Sequence, residues 1–236
     1  MKPPEVLIPE VLIPEVLLAG KVHSIYSAGG TGKTFMMLYL VKRVVERGEP
    51  VMIFDLENGL RIMAERLELL GVTPEEAERI HYYPFPSMPM DPDVIRAFAA
   101  LLEEVDPALV VFDSWVNCLA ACGLDENKST DIAAWADAYS QKARLRRSAV
   151  LILDHVPKEG GSARGSGRKL DYVDVQFELR SPQPFDRETV GRVDLHLRKD
   201  REGWLPATLP TQSAVRKTGL CSSDPPASLS GATRKG

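Results

Sequence analysis

The sequence predicts an α/β fold: a mainly parallel, twisted sheet flanked by helices, with an antiparallel extension toward the C-terminus. Three observations predict it. Short apolar runs at residues 51–56 (VMIFDL), 108–112 (ALVVF) and 149–154 (AVLILD) suit strands buried on both faces. Segments with helical spacing of apolar residues separate these runs. Beyond Pro157 the pattern becomes strict alternation, at 173–180 and 190–198, joined by a loop holding Pro182 and Pro184.

The elements follow in order. Residues 4–18 hold three copies of a pentapeptide, PEVLI, PEVLI and PEVLL. A proline at every fifth position removes a backbone donor and fixes φ, which excludes a regular helix or a central strand. Only the last copy is expected to pack, as the lead-in to the first strand; the exposed Val-Leu-Ile triplets would be a partner surface or an aggregation liability. KVHSIY (21–26) alternates as a strand, and residues 33–47 form a helix stopped by Gly48. In the helix 59–70, Leu60, Met63, Leu67 and Leu70 share one face, with Gly71 as the stop. A short strand at 80–83 leads into the proline-rich turn 84–92, then a helix at 93–104 and a long helix at 130–147. Past Leu209 the chain is rich in Ser, Pro, Thr and Gly. The expected division is a lead-in over 1–19, one globular domain over 20–206 and a disordered tail over 207–236.

Composition sets outer limits. With 236 residues, 44% of them hydrophobic, there is material for one ordinary domain with a real core. The net charge of −4 shows no overall basic character, so nucleic-acid binding would have to come from a local patch. Cys118, Cys122 and Cys221 lack metal-ligand spacing and fit free thiols in a reducing compartment. No apolar run approaches the roughly 20 residues that span a bilayer, and no signal-peptide pattern opens the chain. A cytoplasmic, non-membrane protein is expected.

The chemistry concentrates at strand ends. Residues 27–34 read SAGGTGKT, a fit to the phosphate-loop signature except that Ser27 stands at its first, glycine, position. Gly29, Gly30 and Gly32 permit turns in which successive N–H groups, from Ala28 through Thr31 to Lys33, point at one phosphate chain. Lys33 and Thr34 open a helix whose positive end faces the same anion. Lys33 would reach the β- and γ-phosphates of ATP, and the Thr34 hydroxyl would ligate Mg²⁺. Asp113, just past an apolar strand, would hold the same metal directly or through water. Glu57, 24 residues after Lys33 and followed by the turn-like Asn58-Gly59, is the first candidate for the base that activates water, with Asp55 its competitor. His155 follows its strand directly, where it could bond a γ-phosphate. The glycine-rich loop 156–169 carries Lys158, Arg164, Arg168 and Lys169. It is either a solvated loop or a basic segment that grips single-stranded nucleic acid. Lys199 and Arg201 end another strand, as a charged hairpin or as a finger that stabilises transition-state charge.

In this order the motifs resemble the RecA-like ATPases, in broad naming AAA-type, and specifically the ring-forming replicative helicases of the DnaB and RepA type. The resemblance spans roughly residues 12–206 and rests on SAGGTGKT, IFDLENG, VVFDS, LILDHVPK and KDREG, with RGSGRKLDYVD similar to RepA-like members. It implies a RecA-like P-loop fold with Glu57 as catalytic glutamate and His155 as γ-phosphate sensor. It also implies a homo-hexamer in which Lys199 and Arg201 reach a neighbour's nucleotide. Single-stranded DNA and replication proteins are the implied partners. The chain departs from the pattern at Ser27, has no primase-binding domain and lacks an aromatic residue in the loop 156–169. An ATPase that assembles on or loads other proteins, and a nucleotide-binding protein with little turnover, are the competing readings.

Overall fold

In the computed structural model, residues 11–13, 16–155, 169–183, 191–205, 212–216 and 219–221 are described. Among them, nine strands build one sheet. From one edge, β5 (Ile80–Pro84), β4 (Val51–Asp55), β6 (Leu109–Asp113), β7 (Ala149–His155), β3 (Val22–Ser27) and β8 (Val175–Gln183) run parallel. Then β9 (Gly191–Asp200), β10 (Gln212–Arg216) and β11 (Gly219–Cys221) continue antiparallel. The expected α/β class is what the chain adopts.

The middle strands are apolar throughout because both faces are covered. On one face lies α1 (Lys33–Val45), whose Met36, Met37, Leu40, Val41 and Val44 pack on Ile25, Ile53, Val111 and Leu151. Beside it runs α2 (Leu60–Leu69), which buries Met63, while Leu70 just past its end is buried too. The expected face of this helix holds only in part: Leu60 is 64% exposed. A one-turn helix, α3 (Pro74–Ala77), carries a Thr73/Glu76 capping box.

The other face is covered by α4 (Pro92–Val105), α5 (Trp115–Ala121), α6 (Ser129–Trp135) and α7 (Gln141–Leu145). Its core is aromatic: Phe112 meets Trp135 edge-on at 5.1 Å, Phe98 meets Tyr139 at 5.2 Å, and Phe54 stacks on Tyr83 at 5.0 Å. The helix expected over 130–147 is split by a five-residue π-helical stretch, Ala136–Ser140. No helix was expected at α5, which is too short to show a period in sequence.

Three differences concern strand pairing. First, β8 pairs parallel with β3, and the antiparallel extension begins only at β9. Alternation reports which faces a strand shows, not the direction of its neighbour. Second, β10 and β11 fall within the stretch assigned to a disordered tail, where β10 covers the free backbone edge of β9 and β11 pairs with β10. Third, the last pentapeptide copy packs as expected, with Val16, Leu17 and Leu18 buried, but the second copy also takes part. Its β1 (Val11–Ile13) pairs with β2 (Leu17–Leu18). The buried His23 pins this lead-in: its Nε2 accepts from the Leu18 N–H at 3.1 Å, and its Nδ1 donates to the Val150 carbonyl at 3.1 Å. Among the described residues, no helix is long and apolar enough to cross a membrane.

Candidate functional site

The site forms where β3, β7, β6 and β4 end side by side. Register fixes this: Ser27 pairs with His155, and Asp55 with Asp113. Ligands in open parallel sheets sit at this edge.

The loop after β3 turns through Gly30 (φ +77°) and Gly32 (φ +101°), conformations that side chains rarely adopt. A Cβ at Gly30 would meet no atom within 4 Å, so backbone conformation and not crowding calls for glycine there. Lys33, at the start of α1, is buried; its Nζ donates to the Ser27 carbonyl at 3.0 Å, to Ser27 Oγ at 3.2 Å and to the Ala28 carbonyl at 3.2 Å. Burial lowers its pKa, although Glu57, Asp113 and Asp154 pull the other way. Ser27 thus holds the lysine with its hydroxyl as well as its carbonyl. The departure at the first position of the loop supplies a partner that glycine could not.

Asp113 lies at the end of β6, buried, and its carboxyl is pushed up to about 7 by burial and by the nearby charges of Glu57 and Asp55. Lys33 and His155 moderate the shift. Its Oδ2 accepts from Asn58 Nδ2 at 3.2 Å. A divalent cation beside Asp113 would relieve this repulsion, and Thr34 is the neighbouring hydroxyl on the loop side. Among the described residues, no group of three or more His, Cys, Asp or Glu is arranged to hold a metal alone.

Glu57 stands just past β4. Its Oε1 lies 2.7 Å from His155 Nε2 and 3.2 Å from Asn117 Nδ2. The histidine contact, foremost, holds its carboxyl below the usual range, against a smaller opposing effect of burial. Asp55, the competing base, is wholly buried and already occupied. It accepts from the N–H groups of Glu57 (2.8 Å), Asn58 (3.0 Å) and Gly59 (3.1 Å), and from Tyr82 Oη (2.6 Å). A carboxylate so engaged has no lone pair left for a water.

A cavity of about 310 Å³ joins these groups, lined by residues that include Lys33, Thr34, Glu57, Asp113 and His155. It also takes in Phe35 and Arg66, which the sequence reading missed. Arg66, on α2, lies over the Phe35 ring at 5.2 Å and donates to Asn58 Oδ1 at 3.0 Å.

The remaining predicted residues lie elsewhere. Lys199 and Arg201 sit where the parallel strands begin: Asp200 pairs with Val175, and Val175 with His23, across the sheet from the Ser27 end. Lys199 donates to the Leu170 carbonyl, Arg201 donates to the carbonyls of Asp171 and Val173, and Arg201 Nε is 3.6 Å from Asp174 Oδ1. Neither can reach its own phosphate loop. Lys158, Arg164 and Arg168 lie outside the described residues. Lys169, grouped with them as a nucleic-acid contact, is corrected: it is buried, with Nζ 2.9 Å from Glu126 Oε2 and 3.1 Å from Asp154 Oδ1, over the Trp115 ring.

A family model described as an AAA domain matches residues 5–161, more than half of the chain. The matched stretch holds the phosphate loop, Glu57, Asp113 and His155, and stops short of β8 and β9. No curated protein matches the chain.

Proposed function

Because the chain belongs to the AAA domain family, we propose that it binds ATP in the cavity at Lys33 and hydrolyses it, as a RepA- or DnaB-like helicase acting on single-stranded DNA in replication. One observation carries the reading: Lys33 at the start of α1 and Glu57, Asp113 and His155 at the ends of β4, β6 and β7 line one cavity.

Each residue has a task that its surroundings suit. The backbone N–H groups of the loop 28–34 and the α1 N-terminus cradle the phosphates, and Lys33 exchanges its bonds to Ser27 and Ala28 for phosphate oxygens. Thr34 and Asp113 would hold a magnesium ion, which when bound would neutralise phosphate charge. Glu57, kept ionised, takes the proton of the attacking water. His155 bonds either Glu57 or the γ-phosphate, so it registers the phosphate's presence. Arg66 adds a positive charge to the cavity lining. Lys199 and Arg201, remote from their own loop, serve a neighbour's nucleotide in a homo-hexameric ring, a contribution on the order of 10³ to 10⁵ in rate.

A second reading, an ATPase that assembles on or loads other proteins without unwinding DNA, draws support from the burial of Lys169, which shortens the basic segment available to DNA. The two part in one assay, the ATPase rate against protein concentration with and without single-stranded DNA. The helicase reading expects a rate per subunit that rises with concentration and rises several-fold with DNA, less so at high salt. A rate indifferent to any nucleic acid would leave the second reading standing.

A further inference from the structure

The turn that carries Glu57 is held from beneath by a residue on the sheet's edge strand. Asp55 accepts three consecutive backbone N–H groups, those of Glu57, Asn58 and Gly59, so the path of the chain after β4 wraps around this one carboxylate. Its remaining partners are Asn58 Nδ2 at 3.3 Å and Tyr82 Oη at 2.6 Å. Tyr82 belongs to β5, paired opposite Ile53, which shares a sheet face with Asp55. Asn58 carries the arrangement further, because its amide also donates to Asp113 Oδ2 while its carbonyl accepts from Arg66. The Tyr82 hydroxyl is thus the first link of a chain that ends at the carboxylate beside the metal position and at the backbone of the base.

We propose that Tyr82 is a positioning residue for ATP hydrolysis: its hydroxyl fixes Asp55, and Asp55 fixes the direction of Glu57 and, through Asn58, of Asp113. The proposal rests on the reading of this cavity as an ATPase site. Tyr82 touches none of the reacting atoms, so its loss acts on the chemical step and not on nucleotide affinity, which depends on the loop 28–34. Displacement of a catalytic group by a fraction of an ångström is enough to slow a reaction that depends on alignment.

The test uses the full chain with Tyr82→Phe, which keeps the ring and removes one oxygen, and Asp55→Asn, which places an amide where the Gly59 N–H and the Tyr82 hydroxyl seek an acceptor. Expected for Tyr82→Phe is a fall in kcat of about tenfold, the rate equivalent of one hydrogen bond to a charged group, with affinity for a fluorescent ADP analogue kept within about twofold. The double variant should lose no more than the worse single variant, since both cut the same chain. An unchanged kcat in Tyr82→Phe, or losses that multiply, would overturn the proposal. If the wild-type protein hydrolyses no ATP, the ATPase reading itself has failed, and amide hydrogen exchange at residues 57–59 decides the positioning claim. Faster exchange there in Tyr82→Phe supports it, and unchanged exchange overturns it.

Discussion

Glu57 Oε1 and His155 Nε2 are 2.7 Å apart, a contact that ties the turn after β4 to the last residue of β7 across the intervening strand β6. The base and the sensor of the proposed ATPase are therefore one hydrogen-bonded unit. Nε2 of His155 can serve a γ-phosphate only as it releases Glu57.

This pairing gives a pH dependence with a definite sign. His155 is the foremost cause holding the Glu57 carboxyl below its usual range. Removing it lets that pKa rise, and a general base works only when ionised. His155→Ala should move the acid limb of the kcat profile to higher pH, measured by phosphate release between about pH 3 and pH 6, around the ordinary carboxylate range. An acid limb that stays in place would detach His155 from Glu57.

Lys169 makes the opposite case, a cation whose task is structural. Its partner Asp154 is itself largely buried, so Lys169→Met leaves a carboxylate without its counter-charge. Breaking such a pair costs about 3 to 5 kcal/mol, which urea unfolding will show. DNA affinity of the folded variant should be unchanged, whereas charge removal at Lys158, Arg164 and Arg168 should lower it if that loop binds DNA. A stable Lys169→Met protein with weakened DNA binding would return Lys169 to the surface set.

Two buried groups shape acid stability in opposite directions. His23 has its pKa lowered from 6.5 to about 4, chiefly by burial, so the stability it lends is present above pH 6.5 and is lost as pH falls toward 4. Asp113, raised from 3.8 to about 7, gives stability that is full below 3.8 and lost as pH rises through 7. The wild-type curve should therefore be shallow. Asp113→Asn removes the second contribution, and its urea-unfolding stability should fall by about 3 kcal/mol between pH 7 and pH 4. A flat profile in that variant would contradict the lowered His23 pKa, because an imidazolium Nε2–H cannot accept from the Leu18 N–H.

The central strands and the residues Glu57, Asp113 and His155 at their ends were legible in sequence for a simple reason. Both-face burial makes β4, β6 and β7 continuous apolar runs, and a polar residue where such a run stops has to lie at the sheet edge. Asn58, Arg66 and Tyr82 were not legible, because their roles depend on contacts across β4, α2 and β5 that no local period encodes. Lys169 misled for a related reason: its neighbours in sequence are a glycine-rich basic loop, while its neighbours in space are Asp154, Glu126 and Trp115. The choice between Glu57 and Asp55, open from spacing alone, turned on which carboxylate had free lone pairs.

The central claim is that Glu57 activates water at a nucleotide held by Lys33. It is tested most directly by steady-state phosphate release from saturating Mg-ATP, comparing the wild-type protein with Glu57→Gln. The account predicts turnover by the wild type and a loss of at least about 100-fold in the variant, with ATP still bound, since general-base catalysis contributes roughly 10² to 10⁴ in rate. Hydrolysis by Glu57→Gln at the wild-type rate would contradict it.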